Sequence, residues 1–502
     1  MNSSACAAVL RWSAVASSTY VPQSFREAMC SSRSSTRGGG GACAAMEEWS
    51  HGFGRMPNVI ERLVVFGGTG DLMGRYLLPG VAALHARGYL PTGFELVGAA
   101  RDDWDDERFR SWAARWLERE AAGVDPAAAA AMVGASRYGR IDLGDPAAVA
   151  ACLAGEGPVA VYLALPPAVF SIAVSALHGA GLPADSQVVL EKPFGEDLDS
   201  ARALNRLLAE RFDERHVFRV DHFLAMTTVQ NVLGTRLANR VLEPIWTSAH
   251  IEEIEIVWDE TLALEGRAGY YDRVGALRDM VQNHLLQLLC LVAMEPPLSL
   301  GERDLRDRKV DVLRSVRPLR PDDVAARTRR ARYRGYADED GVTPEHGTET
   351  FAEVVLEIDS WRWSGTRFRL RTGKALGRDR KEIVVRFRAV PHHPFDRRQG
   401  PSPNLLRFGL QPEGLSLELT GTGSGAKPSL VPLVMSAELQ PPELPAYARI
   451  LLDVLGGEAT LSIRGDEAEE AWRIVTPVLE GWSRDLAPLE EYDAGSDGPR
   501  ER

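Results

Sequence analysis

Residues Arg62-Leu63-Val64-Val65-Phe66, followed by Gly67-Gly68-Thr69-Gly70-Asp71-Leu72, decide how this chain is read. A short β-branched apolar run that stops at glycine is the pattern of a parallel strand buried on both faces. The glycines then permit a tight turn into a helix, predicted from about Asp71 to Ala86. Such a turn lets backbone approach a pyrophosphate, and the helix N-terminus beyond it supplies amides and positive dipole. The spacing is Gly67-x-x-Gly70-x-x-x-Gly74, not G-x-G-x-x-G, and glycine at such a junction also serves packing. Its place at the first strand-to-helix junction favours the dinucleotide reading. Gly67, Gly68, Thr69, Gly70, Asp71 and Leu72 are therefore candidate cofactor contacts.

The same alternation continues downstream. Glu95-Leu96-Val97-Gly98-Ala99 reads as a second strand, and Asp125-Pro126 opens an alanine-rich helix to about Met132. Val159 to Leu165 is a third strand, a helix follows to Gly179, and Gln187 to Glu191 is a fourth. This predicts a doubly wound α/β domain, Rossmann-like, over 58–222. Past residue 225 a long helix is expected from Gly275 to Met294. Strand-like runs follow at Phe351–Ile358, Phe368–Arg371, Ile383–Phe387 and Leu415–Leu419. Strands without interleaved helices predict an α+β substrate and dimerisation domain over 223–489, with a large, mainly antiparallel sheet. Residues 1–57, rich in Ser, Ala, Gly and Arg, read as a disordered or mis-called tail, with Met46 or Met56 as alternative starts. The Arg- and Ser-rich, acid-poor makeup also has the look of a transit peptide. Residues 490–502 read as a frayed polar tail.

The chain has 502 residues, with 58 Lys+Arg against 70 Asp+Glu and a formal charge of −12. That balance argues against a general nucleic-acid binder. The apolar stretch Leu285–Met294 is far short of the ~18 residues that a membrane span needs. Five cysteines without a CxxC pair support neither a zinc ribbon nor a disulfide scaffold, so a cytoplasmic protein without a metal is expected.

Arg101 follows the second strand, where an arginine accommodates the 2′-phosphate of NADP and an acid would bind the free hydroxyl of NAD. Asp102 and Asp103 come next, so NAD stays open. Glu191-Lys192-Pro193 closes a strand at the ligand-binding edge, where Lys192 could touch a sugar hydroxyl or the nicotinamide carboxamide. Asp221-His222 ends another short segment, and Asp279 and His284 lie in the long helix. A histidine oriented by a carboxylate is the usual means of taking a proton from an alcohol while hydride leaves its carbon. Five residues separate Asp279 from His284, which on an α-helix puts them on different faces.

Taken in order, these segments resemble the glucose-6-phosphate dehydrogenases. The resemblance rests on Gly67–Leu72, Leu163-Ala164-Leu165-Pro166-Pro167, Glu191-Lys192-Pro193-Phe194-Gly195 and Arg219-Val220-Asp221-His222. It continues through Gly266–Asp272, Arg278–His284, Arg371-Thr372-Gly373-Lys374-Ala375-Leu376 and Glu470–Ile474, covering roughly residues 60–485. It implies an NADP-dependent dehydrogenase of the oxidative pentose phosphate pathway, a homodimer or homotetramer, that oxidises C1 of a sugar phosphate to a lactone. It also implies residue roles. His284 would be the general base and Asp221 its orienting carboxylate. Lys192 would touch sugar and nicotinamide, while Asp279, Glu260 and Lys374 would contact the sugar and His222 its phosphate. Thr69 and Arg101 would hold the adenosine 2′-phosphate.

Two stretches depart from the family pattern. Where the family continues Asp-His with Tyr-Leu-Gly-Lys, this chain has Phe223-Leu224-Ala225-Met226, and Tyr76 stands where a lysine is usual. A phosphate loses charge-assisted donors there, with Arg75 as a possible substitute. Two alternatives follow: a dehydrogenase of an unphosphorylated or differently substituted hexose, and a catalytically silent NADP-binding paralogue.

Overall fold

The structure, a computed structural model, describes residues 60–264, 266, 268–395, 400–424 and 429–500, with the backbone of a short strand at Val9–Arg11. Save for those three residues, the expected 1–57 tail lies outside the described residues.

Six strands form the N-terminal sheet, in the order Arg137–Arg140, Glu95–Ala100, Arg62–Phe66, Ala160–Leu163, Gln187–Glu191, Val217–Val220. All neighbours are parallel. Numbered along the chain this is 3-2-1-4-5-6, the doubly wound order, whose ligand crevice opens where the order reverses beside the first strand. Arg62–Phe66 is buried along its length, as its unbroken apolar run requires. Helix starts follow local chemistry. Asp125 accepts the amide of Ala128 at 2.9 Å with Pro126 in the first turn, a cap worth roughly 1 kcal/mol. The strand Arg137–Arg140, polar and half exposed, carried no apolar signal in the sequence.

The second sheet has ten strands, in the order Val9–Arg11, Leu430–Ala437, Glu413–Thr422, Leu405–Gln411, Arg380–Phe387, Ile251–Asp259, Arg367–Gly373, Phe351–Leu356, Thr328–Tyr333, Leu489–Tyr492. Six neighbouring pairs are antiparallel. Ile251–Asp259 runs parallel to Arg367–Gly373, however, and both outermost strands are parallel to their neighbours. The expected frayed tail at 490–502 is corrected here up to residue 500. Leu489–Tyr492 pairs with Arg330–Tyr333, Tyr492 is buried, and Arg329 and Arg332 meet Glu490 and Glu491. Two acidic residues masked a strand because their partners lie over 150 positions away.

The helix over 275–293 connects both sheets and is fully buried on its second half, Leu286–Ala293, where Gln287 is the one polar side chain. Its first half, Leu277–Leu285, is a π-helix, and so is Met73–Leu77 in the helix after the glycine turn. No helix among the described residues is long and apolar enough to cross a membrane. Cys152 and Cys290 are free thiols.

Candidate active site

The π-helix changes the sequence reading of Asp279 and His284. An i→i+5 hydrogen-bond pattern brings residues five apart onto one face, and π segments tend to mark functional sites. The two side chains therefore face the same cleft, close enough for Asp279 to act on the His284 imidazole.

His284 is buried, and its Nδ1 lies 2.6 Å from Oδ1 of buried Asp221. Asp221 sits just past the strand Val217–Val220 and caps the short 3₁₀ turn His222–Ala225, accepting the Phe223 amide at 2.9 Å. Strand end and cap together fix where the carboxylate points. The Phe223 ring stacks flat on His284, with centroids 3.8 Å apart and planes 8° from parallel, and Trp258 backs Phe223 at 4.3 Å. The imidazole is held in plane by an aromatic face and in rotation by a carboxylate. Burial lowers the His284 pKa and outweighs Asp221, which raises it, so the ring is neutral at physiological pH. Burial would raise Asp221, but the His284 imidazole, His222 and the Phe223 amide reverse that and hold it at about 2. A neutral base beside a permanently ionised orienter is the result.

Lys192 closes the strand Gln187–Glu191, and the peptide bond to Pro193 is cis. Its ammonium reaches both the backbone oxygen (2.9 Å) and Oδ1 (3.0 Å) of Asp279. Burial pushes Asp279 up, yet Lys192 and Lys374 pull it down to about 2. Lys374, at the end of Arg367–Gly373, forms an ion pair with Glu260, which follows the paired strand Ile251–Asp259. The backbone oxygen of Lys374 accepts from the Tyr492 hydroxyl at 2.6 Å, so the terminal strand supports this edge. His222 lies 5.0 Å from the His284 ring, edge to face. Thus His284, Asp221, Lys192, Asp279, His222, Lys374 and Glu260 are linked into one cluster by hydrogen bonds, ring contacts and ion pairs. Asp221, His222 and His284 bring a carboxylate oxygen and two ring nitrogens within 4.8 Å. His284 Nδ1 is bonded to Asp221 Oδ1, while Asp221 Oδ2 is buried without a hydrogen-bond partner.

The glycine turn lies apart from that cluster. Gly67 has φ +83°, and a Cβ there would meet the Ala164 oxygen at 2.1 Å; one at Gly68 would meet Gly98 Cα at 2.6 Å. The amides of Gly67 and Gly68 both go to the oxygen of Ala99. These two glycines are therefore required for packing at the crevice. Thr69, Gly70, Asp71 and Leu72 form its more open rim. The Thr69 hydroxyl donates to Asp102 at 2.7 Å, and Arg101 is exposed beside them. Arg75, the expected substitute cation, is held by Asp71 at 2.7 Å on the helix surface.

One contact went unread in the sequence. Tyr447, near the start of the helix Ala446–Gly456, stacks on His222 at 5.5 Å and on Tyr76 at 4.9 Å. It bridges the glycine-turn helix to the histidine cluster. A lone tyrosine after Pro445, far from any motif, gave no signal of this.

Residues 64–231 match the family model described as glucose-6-phosphate dehydrogenase, NAD binding domain, and 233–502 match the C-terminal domain model of the same family. The chain belongs to the glucose-6-phosphate dehydrogenase family. A glucose-6-phosphate 1-dehydrogenase of Mycolicibacterium smegmatis is 40% identical over 474 residues, 89% of this chain and 96% of that one. The enzyme of the same name from Zymomonas mobilis is 38% identical over 88% of this chain and 97% of its own. Among solved structures, glucose-6-phosphate 1-dehydrogenase from Mycobacterium avium superposes with TM-score 0.79 at 35% identity, covering 88% of this chain and 95% of that one. A glucose-6-phosphate dehydrogenase in complex with its substrate glucose-6-phosphate superposes with TM-score 0.81 at 29% identity, covering 88% and 96%.

Proposed function

We propose that this protein is an NADP-dependent glucose-6-phosphate 1-dehydrogenase, and the observation that carries the proposal is the Asp221–His284 pair beside Lys192 and Asp279. As a member of its family it is an oxidoreductase acting on a sugar C1 hydroxyl. His284 Nδ1 is committed to Asp221, so Nε2 is the nitrogen that takes the C1-hydroxyl proton. The imidazolium so formed is stabilised by the ionised Asp221 at 2.6 Å. Lys192 and Asp279 hold one another and present an ammonium and a carboxylate to the sugar, while Lys374 and Glu260 do the same from the large sheet. A nicotinamide held beside Lys192 would supply the acceptor for the C1 hydride, the oxidised sugar being a lactone. The glycine turn, Thr69 and Arg101 would hold that cofactor at the crevice beside the first strand, and Asp102 keeps NAD within reach. We propose the same homodimer or homotetramer and the same cytoplasmic setting that the sequence implies.

A second reading is favoured by one observation. Phe223, Met226 and Tyr76 leave the end of the cleft beside His222 without the family's usual hydroxyl and ammonium groups. On that reading the substrate is an unphosphorylated hexose. Following NADPH absorbance with glucose 6-phosphate and with glucose separates the two. Turnover confined to the phosphate supports the first, comparable kcat/KM supports the second, and no absorbance with any hexose or hexose phosphate overturns both in favour of a silent paralogue.

A further inference from the structure

The strand Gln187–Glu191 ends in a side chain that the reaction above does not use. Glu191 is buried, lies in register with Val220 one residue before Asp221, and directly precedes Lys192. The Tyr162 hydroxyl, from the adjacent strand Ala160–Leu163, donates to it, and the Tyr447 hydroxyl reaches the same carboxyl. Tyr447 in turn stacks on His222 with planes 20° apart. A buried carboxyl thus anchors the ring that backs the histidine.

We propose that Glu191 is a positioning residue for the sugar-phosphate end of the cleft, acting through Tyr447 on His222 and so setting substrate affinity rather than turnover. The ionised carboxylate accepts from both hydroxyls with full charge, whereas the protonated form is a weaker acceptor and carries a competing O–H donor. The clamp on Tyr447 is therefore tightest when Glu191 is ionised. Four groups face it: Tyr162, Lys192 and Tyr447 pull its pKa down, and Asp221 pushes it up. Burial outweighs the three, leaving the carboxyl at about 7. Affinity should accordingly tighten as pH rises through neutrality. Burial holds His222 itself near 3, with His284 adding to the shift, so it does not titrate in that window and its signals report its neighbours.

The affinity half of this inference rests on the proposed substrate, so the test has two arms. In ligand-free protein, the His222 ring signal, assigned by its loss in His222→Gln, is followed by NMR between about pH 6 and about pH 8. It moves with one inflection in the wild type, stays flat in Glu191→Gln, and inflects at higher pH in Tyr162→Phe, because the Tyr162 hydroxyl favours the ionised form. Tyr162→Phe serves as the second variant should Glu191→Gln fold poorly. In kinetics, Glu191→Gln raises KM for glucose 6-phosphate about tenfold near pH 8 but less than about twofold near pH 6, while kcat stays within about twofold. Superimposable NMR titrations of wild type and Glu191→Gln overturn the coupling, whatever the substrate. A coupled titration with equal KM values overturns the affinity role. A coupled titration in a protein that does not oxidise glucose 6-phosphate supports the positioning role and overturns the substrate reading alone.

Discussion

At one end of the cleft, Asp221 and His284 are both buried, 2.6 Å apart and clamped by a parallel aromatic face. At the other, Tyr76 is exposed, Met226 is partly buried against the core, and the nearby Arg75 is taken up by Asp71. The first end is a preorganised proton acceptor with its charges matched. The second is an aromatic wall of Tyr76, Tyr447 and His222. The two ends are built from different interactions, so each can be altered without the other. The first end rests on one short hydrogen bond, the second on stacked rings.

The comparison is broken most severely at the proton end. His284→Asn removes the base, so kcat falls about 10²–10⁴-fold while the cofactor Kd, read by fluorescence titration, is unchanged. Unchanged turnover would remove His284 from the mechanism. Asp221→Asn leaves a neutral amide that cannot offset the imidazolium, and a loss of about a hundredfold in kcat is expected. It also shifts the pH profile. Asp221 raises the His284 pKa, so its loss moves the acid limb of kcat/KM to lower pH. In the wild type that limb already lies below about 6.5, because burial lowers His284 and activity is lost only as pH falls through the lowered value. A limb above about 6.5 would mean that the base is less buried than described.

Smaller effects sharpen the anion end. Met226→Lys restores an ammonium beside His222 and should lower KM for glucose 6-phosphate roughly three- to tenfold, with KM for free glucose unmoved. An equal change for both sugars would place the phosphate elsewhere. At the cofactor crevice, Asp102→Ala frees the Thr69 hydroxyl and removes an anion near Arg101. A gain of about two- to fivefold in kcat/KM for NADP over NAD is expected, measured side by side.

Much of this could be read from the chain. The strand Arg62–Phe66, its glycine turn and the helix after it appear where the apolar run and the glycines put them, because those patterns are local. His284, Asp221, Lys192, Asp279, His222, Lys374 and Glu260 lie in motifs kept in order, and the fold brings them together. What escaped was non-local. The π-helical register that puts Asp279 and His284 on one face is not encoded by residue type, since an α-helical pattern looks the same. Tyr447 meets His222 only after more than two hundred intervening residues have folded. Leu489–Tyr492 becomes a strand because distant arginines neutralise its glutamates.

On this mechanism the Asp221–His284 pair takes the C1-hydroxyl proton of a phosphorylated hexose, and a nicotinamide would take the hydride. That mechanism is tested most directly by steady-state kcat/KM for glucose 6-phosphate and glucose, each with NADP and NAD. Turnover of glucose 6-phosphate with NADP should exceed that of free glucose by orders of magnitude and fall about 10²–10⁴-fold in His284→Asn. Equal values for the two sugars would contradict it.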